Sequence, residues 1–165
     1  MKIRDIMSQD VEFCLPGTPL QEVAQQMIDR DCGAIPVVSD SEARQVLGVV
    51  TDRDITIRMV AQGLDPTVHT ARDCMSTPVV TLDIDATVAE AQQVLERHQV
   101  RRIPIIDSSN GVCCGMITQA DIARYAPSSD TAAMVKRLSL RVPQTARLEQ
   151  SASSHAEDGE PLWGS

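Results

Sequence analysis

The stretch GVVTDRDI, residues 48–55, follows a run of aliphatic residues and returns as GMITQADI at 115–122. Both copies keep the frame Gly-x-x-Thr-x-x-Asp-Ile and vary most of the rest. Working outward from this frame, the likeness extends across most of the chain. IRDIMS at 3–8 matches ARDCMS at 71–76, and QEVAQQMIDRDCGAIPVV at 21–38 matches AEAQQVLERHQVRRIPII at 89–106, both at an offset of 68. Glu22 meets Glu90, Met27 meets Leu95, and Ile35-Pro36-Val37 meets Ile103-Pro104-Ile105. Beyond the polar loops SDSEARQ and DSSNGVC the offset becomes 67, so one residue is lost where an indel is cheapest. The chain is a duplication. Each copy of roughly 55–60 residues is marginal alone, which leads us to expect that the two share one core.

Each copy reads locally as β-α-β-β-α. A lead-in, RDIMS or RDCMS, runs into an extended stretch, VEFCL or PVVTL. Leu20, Val23, Ala24, Met27 and Ile28 then recur at helical spacing, as do Val88, Ala91, Val94 and Leu95 in the second copy. AIPVV and RIPII read as short buried strands with a proline at the edge. VLGVVT and CCGMIT follow as second strands, and a short helix begins at each Asp-Ile, ending near Gly63 in the first copy. The expected divisions are residues 1–67, residues 68–126 and a polar tail at 127–165. That tail is expected to be largely disordered, with a short helix at 131–140.

Composition excludes several partners. The net charge is −8, and Phe13, Tyr125 and Trp163 are the only aromatic residues, so neither a grip on phosphate backbones nor base stacking is expected. The N-terminus lacks the apolar region of a signal peptide, and no apolar run is long enough to span a bilayer. The five cysteines, Cys14, Cys32, Cys74, Cys113 and Cys114, form no Cys-x-x-Cys pair and imply neither a disulfide framework nor a zinc site. A cytoplasmic protein with reduced thiols is expected; the adjacent Cys113-Cys114 pair is the candidate for any redox sensing.

The repeated Thr-x-x-Asp has two readings. A threonine followed three residues later by an acid is a helix capping box, with Thr51 and Thr118 capping while Asp54 and Asp121 reach back. The same place is also fit for a ligand. Free amides at a helix start attract anions, and an aspartate there can accept both hydroxyl hydrogens of a ribose. Flanking aliphatic strands would offer flat walls for a purine.

On these features the chain resembles a tandem pair of CBS domains, together called a Bateman module, over residues 1–126. The resemblance rests on the two Ile-Pro strands, the two Gly-x-x-Thr-x-x-Asp-Ile frames, the Glu22 and Glu90 helices and the duplication. TDRDI followed by AQGLDP is similar to small free-standing bacterial proteins of this kind. The resemblance implies an α/β fold of two repeats about a pseudo-twofold axis, with two clefts that in many members bind AMP, ADP, ATP or S-adenosylmethionine. It also implies pairing of modules into a homodimer. By position, Asp54 and Asp121 would bind ribose, and Thr51 and Thr118 would lie at ribose or phosphate. Ile35, Pro36, Val37, Ile103, Pro104 and Ile105 would line the adenine slots beside Cys14, Val80 and Thr81. Arg53 in the first copy, and Arg101 and Arg102 in the second, are the cations that could meet phosphate.

Catalysis finds no support in the pattern. His69, His98 and His155 are scattered, and neither a His-x-x-x-His, a Gly-x-Ser-x-Gly nor a P-loop is present. Asp83 and Asp85 in TLDIDATVAE read as a loop and helix cap. The expected function is a non-catalytic regulatory sensor that requires no cofactor or metal, binds an adenosine-containing ligand and signals to a protein target in trans. The alternative is a structural dimerisation module with empty clefts, possessing an output in the tail.

Overall fold

The computed structural model describes residues 1–125 and 128–140, so the polar stretch beyond residue 140, including Trp163, lies outside the described residues. The first hairpin pairs β1 (Ala34–Val38) with β2 (Val46–Thr51) in register Ala34↔Thr51 and Ile35↔Val50, with an irregularity after Val37. The second pairs β4 (Arg102–Asp107) with β5 (Val112–Thr118) in register Arg102↔Thr118 and Ile103↔Ile117, with the matching irregularity after Ile105. A short β3 (Leu82–Asp83) adds parallel to β4 through Leu82↔Ile105. Its counterpart in the first repeat is a single parallel bridge, Cys14↔Val37. Both stretches expected as strands are therefore present only in part. The two hairpins are stitched together where Gln45 bridges Val112 and the Cys113 amide donates to the Arg44 carbonyl at 3.0 Å.

Helices α1 (Leu20–Asp29) and α4 (Val88–His98) cover one face of each hairpin. Leu20, Val23 and Met27 of α1 are buried, as are Ala91 and Leu95 of α4. Ile28, expected on the same apolar face, is 72% exposed. It lies about 100° round the helix from the centre of the buried stripe, beyond the arc that the hairpin covers. Helices α2 (Asp52–Arg58) and α5 (Gln119–Tyr125) follow the second strands. A 3₁₀ turn, Val60–Gln62, ends the first repeat's segment at Gly63, whose φ of 70° is left-handed and suits glycine.

The lead-ins cross. Ile3 and Ile6, at the start of the first repeat, are buried with Leu95, Ile103, Ile105, Ile117 and Ile122 of the second. Ala71 and Cys74, in the short helix α3 (Ala71–Cys74), are buried with Leu20, Val23, Ile35, Val37 and Val50 of the first. The expected shared core is thus two apolar clusters, each completed by the other repeat's lead-in. The exchange gives each small repeat the apolar area it lacks by itself.

The crossing also accounts for the glycine of the repeated frame. The Ser76 amide donates to the Val49 carbonyl at 2.8 Å, and in the second repeat Ser8 and Met116 exchange two backbone bonds of 3.0 Å. A Cβ on Gly48 would stand 2.7 Å from the Met75 sulfur, and one on Gly115 would stand 2.7 Å from the Ser8 carbonyl oxygen. A thioether can swing aside; a hydrogen-bonded backbone cannot without breaking its ladder. Gly115→Ala should therefore destabilise the protein by about 1–3 kcal/mol, as overpacking does, and more than Gly48→Ala. Urea unfolding of the two variants checks the order.

Helix α6 (Ser128–Ser139) packs on α4 and α5, burying Met134 and Leu138 in the cluster of the second repeat, and Arg137 pairs with Glu96 at 2.7 Å.

Candidate ligand clefts

Thr51 ends β2 in an extended conformation and Asp54 sits three residues into the turn that follows, so each can satisfy the other's backbone. The Asp54 amide donates to Thr51 Oγ1 at 3.0 Å, while Asp54 Oδ2 accepts from the Thr51 amide at 3.0 Å and the Thr51 hydroxyl at 2.7 Å. Thr118 and Asp121 repeat this arrangement at 3.1, 2.9 and 2.7 Å. The capping reading of the motif is correct in both repeats.

Capping does not account for the burial. Thr70 with Asp73, and Thr87 with Glu90, form the same reciprocal box, yet those acids lie exposed. Hydrogen bonds from Thr70 and from Thr87 hold the Asp73 and Glu90 carboxyls below their ordinary pKa. The side chains of Asp54 and Asp121, by contrast, are only 13% and 12% exposed. In each, Oδ2 is spent on the cap and Oδ1 points elsewhere. Around Asp54 Oδ1 stand the Ser76 hydroxyl at 3.4 Å and Arg58 Nη2 at 3.5 Å. Around Asp121 Oδ1 stands Arg124 Nη1, at 3.7 Å.

The first-repeat motif faces the second repeat. Asp52 Oδ2 and Arg102 Nη2 lie 2.7 and 3.0 Å from the point where a Gly33 side chain would begin, so glycine leaves room for both. This places Arg102 at the junction between the repeats. Arg53 and Arg101 are exposed. The candidate slot residues divide by strand alternation. Ile35, Val37, Ile103 and Ile105 project into the two apolar clusters, whereas Pro36 and Pro104 are buried on the opposite face. Val80 and Thr81 are half-buried and precede β3. Two residues that the sequence does not mark as site residues stand beside Asp54: Arg58 and Ser76. Arg58 stands one helical turn after Asp54, an i,i+4 spacing that favours an ion pair and was visible in the sequence.

Four of the thiols, Cys14, Cys74, Cys113 and Cys114, are shifted toward the protonated form. Burial, then the Glu22 charge, pushes the Cys14 thiol up to about 12; burial, then the Asp54 charge, pushes Cys74 up to about 11. Burial also raises Cys113 and Cys114, which flank a cavity of about 40 Å³ beside Phe13, away from both aspartates. There Arg44 lies 4.9 Å over the Phe13 ring. Since the thiolate is the reactive form, both buried thiols should react slowly at pH 8. A chromogenic disulfide reagent at that pH should titrate Cys14 and Cys74 at least about a hundredfold faster in guanidinium than in the native protein. Equal rates would contradict the burial. Among the described residues, no group of three or more His, Cys, Asp or Glu side chains is placed to hold a metal ion, and no helix is long and apolar enough to cross a membrane.

Two repeats of this build, each with a Thr-x-x-Asp turn at the end of its second strand, define a CBS pair. The chain belongs to the CBS domain family, which matches residues 3–61 and 71–128. It is 38% identical over 135 residues to hypoxic response protein 1 of Mycobacterium tuberculosis, spanning 82% of this chain and 92% of that protein. It is 35% identical over 130 residues to the CBS domain-containing protein YhcV of Bacillus subtilis, spanning 79% and 89%. A crystal structure of hypoxic response protein I with two coordinated zinc ions superposes with a TM-score of 0.69, covering 77% of this chain and all of that one. A CBS domain pair solved in complex with 5′-methylthioadenosine and S-adenosyl-L-methionine shares the fold at a TM-score of 0.66 and 22% identity, covering 75% and 94%.

Proposed function

We propose that the chain is a non-catalytic regulatory module that binds an adenosine-containing ligand, such as AMP, ADP, ATP or S-adenosylmethionine, between its repeats and signals in trans. The observation that carries this reading is the contrast among the Thr-x-x-acid boxes. Asp121 is buried and the Asp54 side chain is largely withdrawn from solvent, unlike the acids of the other two boxes, and each keeps one carboxylate oxygen outside the cap. A vicinal diol supplies two O–H donors that can converge on the lone pairs of that oxygen, each bond charge-assisted. Arg102, at the repeat junction, supports a phosphate or carboxylate on the same ligand. The adenosine ligands of the CBS pair described above support the chemical class. The name of the mycobacterial relative supports a stress-linked setting. Because the ligand would touch both repeats, it would favour one arrangement of them over another, as a regulatory shift demands. Pairing into a homodimer is part of the reading, supported by the exposed apolar Ile28, Val60 and Leu64.

Thermal unfolding in the presence of AMP, ADP, ATP, S-adenosylmethionine and GTP tests the reading. A ligand at about one hundred times its Kd raises stability by about 2.7 kcal/mol, several degrees for a chain of this size. At least one adenosine compound should do so, while GTP should not. A flat response to all five would leave the dimerisation reading in its place.

A further inference from the structure

The two carboxylates are not equally available. Arg58 donates from Nη1 to the carbonyls of Cys74 and Met75, both at 2.8 Å, and from Nη2 to the Ser76 hydroxyl at 2.9 Å. The same guanidinium stands 3.5 Å from Asp54 Oδ1, and the Ser76 hydroxyl stands 3.4 Å from it. Arg58 therefore ties the first motif to the C-terminal end of α3. The free carbonyls at that end suit a cation, and the clamp is held at four points.

The second repeat lacks the clamp. Tyr125 stands where the first has Arg58, and its side chain is exposed. Ser8 stands where the first has Ser76, and its backbone pairs with Met116. Asp121 Oδ1 has instead Arg124, beyond hydrogen-bond distance at 3.7 Å and with a side chain 72% exposed. An exposed pair of that kind is worth under about 1 kcal/mol and is easily displaced.

We propose that the clefts are filled in order: the cleft at Asp121 takes the adenosine ligand in the resting protein, and the cleft at Asp54 is latched by Arg58 and Ser76. This rests on the ligand class proposed above. A ribose reaching Asp54 must displace both latch groups, and in doing so it frees the last carbonyls of α3 and the connection to β3. Filling the first cleft is thereby coupled to the α3 connection as well as to the contact between the repeats, whereas filling the second requires no latch to open. Arg58 and Ser76 are positioning residues that act through Asp54.

Calorimetric titration of AMP, ADP, ATP and S-adenosylmethionine tests the order. The wild-type chain should bind one equivalent of the effective probe. Asp121→Asn should weaken that binding by at least about tenfold. Ser76→Ala combined with Arg58→Met should raise the stoichiometry to two, and adding Asp121→Asn to that pair should return it to one. Ser76→Ala alone keeps the Arg58 bonds to the α3 carbonyls, so it serves if the double variant unfolds; it should reveal a weaker second site. Two equal sites in the wild type, or a tight site surviving Asp121→Asn, overturns the proposal. An unchanged stoichiometry in folded unlatched variants overturns it as well. Absence of binding to every protein overturns the adenosine reading itself, and the latch with it.

Discussion

Met134→Ala should lower the unfolding free energy by about 2–5 kcal/mol, the range for truncating a buried methionine or leucine. The melting temperature should fall by about 6–15 °C for a chain of this length. Met134 is 1% exposed and joins Ile3, Ile6, Leu95 and Ile122 in the cluster of the second repeat. It therefore sits where α6, the crossed N-terminal lead-in and the second repeat meet. Val135, one position along the same helix and 39% exposed, is the control: Val135→Ala should change stability by less than about 0.5 kcal/mol. Denaturant unfolding followed by circular dichroism measures both. Equal small effects would mean that α6 is not part of the core.

The other large effect concerns the ligand. Replacing Asp54 and Asp121 together by alanine should weaken adenosine-ligand binding by about 10²–10⁴-fold. Two hydrogen bonds to a charged acceptor contribute about 1.5–3 kcal/mol each, and 1.4 kcal/mol is a factor of ten. Each alanine also removes half of a capping box, a loss of about 1 kcal/mol in stability, so the variant must be shown to fold at the assay temperature. Asp73→Ala with Glu90→Ala removes the two exposed boxes at a similar cost in stability. That pair should leave the affinity within about twofold. The comparison separates a ribose partner from a cap.

Much of this architecture is legible in the sequence. The duplication, the hairpins and the helix after each second strand followed from apolar periodicity and the repeated frame, because β pairing and capping are local and leave local traces. The crossing of the lead-ins left none. RDIMS and RDCMS are interchangeable as sequence, and each hairpin has a glycine ready to admit either; only the three-dimensional path decides that Ser8 meets Met116 and Ser76 meets Val49. Ile28 shows the limit of a helical wheel, since five apolar positions define a face wider than the hairpin covers. The reach of α6 was equally hidden, because Met134 and Leu138 stand in a polar context that announces a short surface helix.

At the site, the sequence marked Thr51, Asp54, Thr118 and Asp121 but could not choose between cap and ligand partner. Burial distinguishes these boxes from the other two, and burial is a property of tertiary packing. The aliphatic strands read as walls for a purine, and the resemblance named their slot residues. Strand alternation then turned Ile35, Val37, Ile103 and Ile105 toward the helices and left Pro36 and Pro104 on the other face. Arg58 was overlooked because an arginine four residues after an aspartate reads as an ordinary surface pair. Its bonds to the carbonyls of Cys74 and Met75 depend on the crossed α3 lying beside it.

Calorimetric titration of AMP, ADP, ATP, S-adenosylmethionine and GTP into the wild-type protein and the Asp54→Ala/Asp121→Ala variant is the most direct measurement. The account predicts saturable binding of at least one adenosine compound to the wild type, no saturable binding of GTP, and loss of that binding in a folded variant. Binding that persists unchanged without both carboxylates, or no binding to the wild type at all, would contradict it.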